Sequence, residues 1–316
     1  MSKLYNVSLS PHIRAKETTA SIMLDVVIAL IPAIAMGVYN FGWRALFITA
    51  LSIASCVGSE YIFERLLKQK ATIGDFSAVV TGMILALNLY STAPWWPPIL
   101  GGAFAIIVVK CLFGGLGQNF MNPALAARCF LLISFPTIMT AYPAIDGVSG
   151  ATPLAILRDG GSVPLTTLFL GTHSGTIGET SALAILIGAA YLLIKRVISP
   201  RIPLCVIGSA AVFVVLFGLG KGADVDINYV ATHLMGGGLL AGAVFMATDY
   251  VTAPVTKWGQ VIYAVLIGFL TAFIRTCGGS TEGMSYAIII SNLLTPLIEK
   301  WTAPKPFGLE HKEASK

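Results

Sequence analysis

Residues 20–39 read ASIMLDVVIALIPAIAMGVY and contain a single charged residue, Asp25. A helix of about 20 apolar residues is long enough to cross the hydrocarbon core of a bilayer. Further apolar runs follow along the chain, bounded by charged residues, glycine or proline, near residues 43–63, 75–90, 97–113, 122–143, 181–195, 201–219, 229–249, 258–275 and 284–299. The sequence therefore predicts an all-α integral membrane protein with ten transmembrane helices.

The composition supports a membrane protein and excludes several soluble classes. Of the 316 residues, 56% are hydrophobic and 11% are charged, whereas soluble domains carry about 25% charged residues. So few charges could not cover a soluble globule, and a nucleic-acid-binding domain, a disordered chain and a secreted disulfide scaffold are therefore excluded. The five cysteines are scattered singly, which is typical of buried thiols, and no metal site is expected.

The distribution of lysine and arginine predicts the orientation in the membrane. If the polar segment 1–19, in which we expect no cleavable signal peptide, is cytoplasmic, then the outside segments hold only Arg44, Arg158, Lys221 and Arg275 of the 20 Lys and Arg. An excess of basic residues marks cytoplasmic loops. We therefore expect a multi-pass protein of the inner, cytoplasmic membrane. Both termini, including the tail 301–316, would be cytoplasmic, and the loop 144–180 would be extracytoplasmic.

A short sequence repeat divides the chain into two halves. The stretch YSTAP at 90–94 recurs as YVTAP at 250–254. The predicted halves, 20–143 and 181–300, contain five spans each. Because five is an odd number, the second half would enter the membrane from the opposite face, as in the inverted repeats of transporters. This pattern alone fits a self-contained channel or a secondary transporter equally well.

The loop between the halves contains DGVSGATPL, residues 146–154. Pro153 fixes its own φ and moves Thr152 out of the helical region, so Thr152 can cap a short helix that starts at Pro153. Gly150 permits a tight turn, and Ala151 leaves the threonine hydroxyl accessible. A phosphate ester on that hydroxyl would face the free N–H groups of the helix start. On local geometry, the simpler interpretation that Thr-Pro is only a helix cap stays open.

The same stretch resembles the D-x-x-S/T-G-A-T signature at which a dedicated flavin transferase attaches FMN through its phosphate to threonine. The signature residues here are Asp146, Ser149, Gly150, Ala151 and Thr152. Other matching stretches are SPHIR at 10–14, IMLDV at 22–26, GGLGQNFMNPALAARCF at 114–130 and MATD at 246–249. Over nearly the whole of 8–300, the chain resembles the RnfD/NqrB family of membrane subunits in ion-pumping redox complexes.

The resemblance implies a covalent flavin and a set of partners. FMN would be attached to Thr152 on the extracytoplasmic side and would relay electrons, and a second, non-covalent riboflavin occurs in relatives. A complex of this type moves electrons between ferredoxin and NAD and couples this to translocation of Na⁺ or H⁺. The expected partners are therefore other membrane and peripheral subunits, the flavin transferase and the lipid bilayer, and the chain alone should have no turnover.

One branch of the family is favoured over the other. Only a short segment precedes SPHIR, which makes the chain similar to RnfD and less similar to NqrB, whose members have a longer N-terminal cytoplasmic segment. An NqrB-like subunit of a quinone-reducing sodium pump stays the alternative within the family.

Ionisable groups inside the predicted spans are candidates for an ion path. Asp25 and Asp249 fall in family-like segments, and charges at membrane depth are costly enough that they often line cavities or ion pathways. The competing interpretation is that both carboxylates are solvated or paired with basic residues. For Lys110 and Arg128 we expect pairing between helices or extension toward the interface. The asparagines at 88, 119 and 122 could supply oxygen ligands to Na⁺, but they fit contacts between helices better.

Overall fold

The computed structural model of the chain describes residues 17–68, 72–141, 150–278 and 283–304. Within these ranges the regular structure is entirely helical. The predicted flavin-attachment residues Asp146 and Ser149 lie outside the described residues, whereas Gly150, Ala151 and Thr152 lie inside them. The all-α class predicted from the sequence is therefore confirmed.

The helices follow one another with short connections. In the first half they are α1 (Thr19–Phe41), α2 (Trp43–Leu66), α3 (Ser77–Leu87), α4 (Trp96–Phe113), α5 (Pro123–Ser134) and α6 (Pro136–Met139). Two short helices, α7 (Pro153–Arg158) and α8 (Leu165–Leu170), lie between the halves. In the second half they are α9 (Ala182–Ile194), α10 (Arg201–Gly220), α11 (Ile227–Met235), α12 (Leu239–Met246), α13 (Lys257–Cys277) and α14 (Met284–Thr302).

Every predicted apolar run contains a helix, but the helices differ in length. Five are long and apolar enough to cross a bilayer alone, namely α1, α2, α4, α10 and α13. The pair α11 and α12 adds a sixth candidate, bent by 55° at the break between the two helices. Helices α3, α5 and α9 have only 11, 12 and 13 residues. The chain is thus a multi-pass membrane protein, and the count of ten spans stays a prediction.

The end of the short helix α3 is completed by a buried loop. The backbone N–H groups of Ile177 and Gly178 donate to the carbonyls of Leu89 and Leu87, each at 2.9 Å. The loop fits closely, because a Cβ on Gly178 would lie 2.4 Å from the Leu87 side chain. At membrane depth, non-helical backbone is tolerated only where protein surrounds it and satisfies its polar groups. This loop therefore allows a helix to stop inside the protein.

Contacts between helices show their relative directions. In the first half, Ser55 of α2 donates to Ile99 at the start of α4, and Glu60 further along α2 contacts Lys110 near the end of α4, so these helices run parallel. In the second half, Ser209 of α10 contacts Ala264 of α13, and Lys221 just after α10 contacts Thr276, so these helices also run parallel.

The first helices of the two halves run antiparallel. Asp25, near the start of α1, contacts Tyr191 near the end of α9, whereas Asn40 at the end of α1 donates to Thr180, just before α9. Their contact is close, since a Cβ on Gly188 would lie 2.2 Å from the carbonyl oxygen of Ala29. Buried residues from both halves form one continuous hydrophobic core.

Candidate functional site

Thr152 occupies the position that the sequence predicts for it. Its backbone is extended, with φ −70° and ψ 157°, and its hydroxyl accepts a hydrogen bond from the N–H of Ala155 at 3.3 Å. Pro153 is the first residue of α7, where its missing N–H costs nothing. The predicted cap is therefore confirmed, and the local geometry by itself is that of an ordinary helix start.

The exposure of Thr152 differs from the expectation. Ala151 is exposed, but Thr152 is only 3% exposed. The reason is that its side chain turns back over α7 as a cap, while the next two residues, Pro153 and Leu154, are buried. The hydroxyl must therefore leave its bond to Ala155 before it can be esterified.

Helix α7 packs against the break between α11 and α12. Gly237 in that break has φ +70°, and a Cβ there would lie 2.3 Å from Leu154 Cδ1 and 2.5 Å from Arg275 Nη2. Arg275 is 7% exposed and donates to the carbonyls of His233 and Gly237, at 2.5 and 2.6 Å. The arginine thus holds the carbonyls that the helix break leaves without intrahelical partners.

A cavity of about 300 Å³ adjoins α7. Lys221 lies at its wall and donates to the carbonyl of Thr276. No carboxylate is among the described residues of the wall, which are Leu154, Leu157, Arg158, Lys221, Ala223, Tyr229, His233, Arg275, Thr276, Cys277 and Gly278. Three of the four basic residues that the sequence assigns to the outside therefore surround one cavity beside Thr152. We call the region of Thr152, Arg158, Lys221 and Arg275 the Thr152 end.

The two predicted ion-path carboxylates have different surroundings. Asp25 accepts a hydrogen bond from Tyr191 at 2.6 Å, and Lys195 Nζ lies 3.8 Å from it. Asp249 accepts hydrogen bonds from the hydroxyl of Thr252 at 3.1 Å and from the N–H of Val251 at 3.4 Å. Asp25 thus has a basic partner, as the competing interpretation expects, whereas Asp249 has only neutral donors among the described residues.

Asp249 lies at the wall of a second cavity, together with Lys110, Asn119 and Asn122. The side chain of Asn122 caps α5 by accepting from the N–H of Ala124 at 3.1 Å, and its amide donates to the carbonyl of Met246 at 3.3 Å. Asn122 therefore joins the two halves, as expected for a contact between helices.

Asn88 and Arg128 also join helices. Arg128 Nη1 donates to Asn88 Oδ1 at 2.6 Å, which links α5 to the end of α3. The amide of Asn88 donates to the carbonyl of Ile84 at 2.7 Å. Both residues thus connect helices, as the sequence led us to expect.

Sequence reasoning missed a buried cluster of charges between α2 and α4. Glu60, Glu64 and Lys110 are 1%, 6% and 2% exposed. Lys110 Nζ lies 2.5 Å from Glu60 Oε1 and donates to the hydroxyl of Ser77 at 2.6 Å. Glu64 accepts from the N–H and hydroxyl of Thr72, at 3.0 and 2.5 Å. We call the region of Glu60, Glu64, Lys110 and Asp249 the Glu60 end.

The sequence contained a signal for this cluster. Glu60 and Glu64 lie four residues apart and therefore on one face of α2. Lys110 is paired with one of them, which is one of the two arrangements expected for it. Within the described residues, no three His, Cys, Asp or Glu side chains come close enough to hold a metal ion.

Comparison with known proteins decides the family. The family model of NQR2, RnfD and RnfE matches residues 6–308. The chain belongs to this family. The D subunit of a sodium-translocating ferredoxin:NAD⁺ oxidoreductase complex from Acetobacterium woodii is 50% identical over 311 residues, which cover 96% of this chain and 95% of the relative.

Two other members of the NQR2, RnfD and RnfE family show the same full-length similarity. The D subunit of a proton-translocating ferredoxin:NAD⁺ oxidoreductase complex from Clostridium ljungdahlii is 40% identical over 321 residues, covering 96% of each chain. The D subunit of an ion-translocating oxidoreductase complex from Stutzerimonas stutzeri is 37% identical over 329 residues, covering 91% of each. The resemblance inferred from the motifs is therefore confirmed.

Proposed function

We propose that this chain is the RnfD membrane component of an Rnf-type complex and relays electrons through FMN esterified to Thr152. The observation that carries the proposal is the 50% identity, over 96% of the chain, to the D subunit of a sodium-translocating ferredoxin:NAD⁺ oxidoreductase complex. The three relatives are all D subunits of ion-translocating oxidoreductase complexes, and this favours the Rnf-type complex over a quinone-reducing pump. Electron transfer would depend on the other membrane and peripheral subunits.

The residues around Thr152 fit a bound flavin. Arg158, Lys221 and Arg275 would make the surroundings positive, and Nδ1 of His233 and Nε of Arg275 are buried without a hydrogen-bond partner among the described residues. Flavin supplies carbonyl and ring-nitrogen acceptors and a phosphate, which suit such donors. When bound, FMN would supply the one- and two-electron chemistry, and the protein would position it and set its potential. Attachment would require the flavin transferase.

The directions of the helices support the proposed topology. The parallel pairs α2–α4 and α10–α13, and the antiparallel first helices α1 and α9, are what two inverted five-span halves would give. In that arrangement the Thr152 end is extracytoplasmic and the Glu60 end is cytoplasmic, with both termini. The positive-inside rule leads to the same orientation.

The covalent flavin can be tested by removing the hydroxyl of Thr152. In chain made together with the flavin transferase, we expect the denatured wild-type band to fluoresce and Thr152→Val to lose this fluorescence completely, because no oxygen is left to esterify. Thr166→Val is the matched control, since Thr166 lies in α8 of the same loop and is exposed. A fluorescent Thr152→Val band would refute attachment at Thr152.

The proposed ion path is tested at Asp249. Because Asp249 lines a cavity and its described hydrogen-bond donors are neutral, we expect Asp249→Ala to weaken the dependence of turnover on Na⁺ or H⁺ while the flavin stays attached. Ion-dependent turnover of the purified complex is the measurement. Unchanged ion dependence would restrict Asp249 to a structural role in its turn.

A further inference from the structure

We propose that the cavity of the Thr152 end receives the isoalloxazine ring of the flavin and that Arg158 and Lys221 stabilise its reduced form. This inference rests on the proposed attachment to Thr152 and names the residues that receive the ring. It concerns a cavity between α7, α10, α11 and α13, and not the attachment signature.

The cavity has the size and position for a tethered ring. Its volume of about 300 Å³ lies at the lower end of the range for small-molecule pockets. Leu154 and Leu157 of α7 form one wall, and α7 begins directly after Thr152. From Thr152 to Arg158 the helix rises about 9 Å. A ligand fixed at Thr152 by its phosphate can therefore extend along α7 into the cavity.

The lining suits a flat aromatic ring with polar edges. The rings of Tyr229 and His233 lie 4.8 Å apart and form an aromatic wall. His233 is 6% exposed and Arg275 is 7% exposed, yet His233 Nδ1 and Arg275 Nε find no hydrogen-bond partner among the described residues. Buried polar atoms are normally bonded, so these two nitrogens are available to the edge of a ligand.

The charge of the cavity favours a ligand that becomes negative. The hydrogen bonds described for Lys221 and Arg275 go to backbone carbonyls, which do not neutralise their charge. Glu179 acts electrostatically on Arg275 but is not part of the wall. Positive charge beside the ring stabilises the negative charge that flavin acquires on reduction. The cavity would therefore raise the midpoint potential of the bound flavin.

The test compares variants at exposed positions. Arg158 and Lys221 are exposed, so the double variant Arg158→Gln/Lys221→Gln should fold normally. Arg44→Gln is the matched control, because Arg44 is also exposed and is expected on the same side, but it is not part of the cavity wall. All three proteins are purified as flavinylated complex, and the covalent flavin is titrated spectroscopically against a redox scale.

We expect the double variant to shift the ratio of oxidised to reduced flavin about tenfold toward the oxidised form at a fixed potential, which is ~30 mV for a two-electron couple. Arg44→Gln should leave the ratio unchanged. Equal potentials in the double variant and the wild type would overturn the proposal. Absence of covalent flavin from the wild type would instead overturn the proposed function.

The position of the ring is tested separately at Cys277, which is exposed at the cavity wall. The wild-type chain is made with and without the flavin transferase, and alkylation of Cys277 is followed by mass spectrometry. We expect alkylation to be about tenfold slower in the flavinylated chain, because the ring covers the thiol. Equal rates would overturn the placement of the ring in this cavity.

Discussion

The two ends of the molecule treat charge in opposite ways. At the Glu60 end, Lys110 lies against Glu60 at 2.5 Å and both side chains are almost fully buried. At the Thr152 end, Lys221 and Arg275 bond to backbone carbonyls, and no carboxylate is among the described residues of the cavity wall. The protein therefore balances part of its charge internally at one end and keeps positive charge for an anionic ligand at the other.

The largest expected effect follows from breaking the buried pair. Lys110→Met would leave Glu60 and Glu64 buried without the lysine, and removing one partner of a buried pair costs about 3–5 kcal/mol. Thermal unfolding of the purified protein in detergent measures this loss. The double variant Lys110→Met/Glu60→Gln should recover most of the stability, because the unpaired charge is gone. A single variant as stable as the wild type would show that this pair is not the internal balance of the Glu60 end.

A smaller effect is expected at the helix break of the Thr152 end. Gly237 and Gly238 have φ +70° and +67°, but only a Cβ on Gly237 would meet other atoms within 4 Å. Both alanine variants carry the backbone strain of about 1–2 kcal/mol, and overpacking adds about 1–3 kcal/mol at Gly237. Gly237→Ala should therefore unfold at a lower temperature than Gly238→Ala. Equal unfolding temperatures would argue against the close packing of Leu154 and Arg275 on this break.

The smallest effect is expected for the partly exposed pair of Asp25 and Lys195. Their charged atoms are 3.8 Å apart, and the side chains are 23% and 53% exposed. Ion pairs of this kind contribute about 0–1 kcal/mol, so Asp25→Asn should change the unfolding temperature little. Tyr191 can still donate to the amide oxygen of asparagine. A loss as large as that of Lys110→Met would mean that Asp25 belongs with the buried charges.

The sequence predicted the helices well because their signal is local. Each apolar run contains a helix, and Thr152 caps α7 as expected from the Thr-Pro pair. The lengths were less predictable, because α3 stops at a loop, containing Ile177 and Gly178, that lies far away in the sequence. A run of apolar residues does not reveal that a distant segment will satisfy the backbone where a helix ends.

The sites were predictable only where a motif is contiguous. The attachment signature was visible as a run of letters, whereas the cavity beside it combines α7 with the ends of α10, α11 and α13. The positive-inside count placed Arg158, Lys221 and Arg275 on one side, but only the fold brings them around one cavity. The pairing of Glu60 with Lys110 was missed for the same reason, since the two residues lie on different helices.

The attachment of FMN to Thr152 is tested most directly by mass spectrometry of the peptide that contains this residue, taken from chain made together with the flavin transferase. We expect a peptide heavier by FMN less one water, with fragment ions that place the addition on Thr152. An unmodified Thr152, or a flavin attached to another residue, would contradict the proposed attachment.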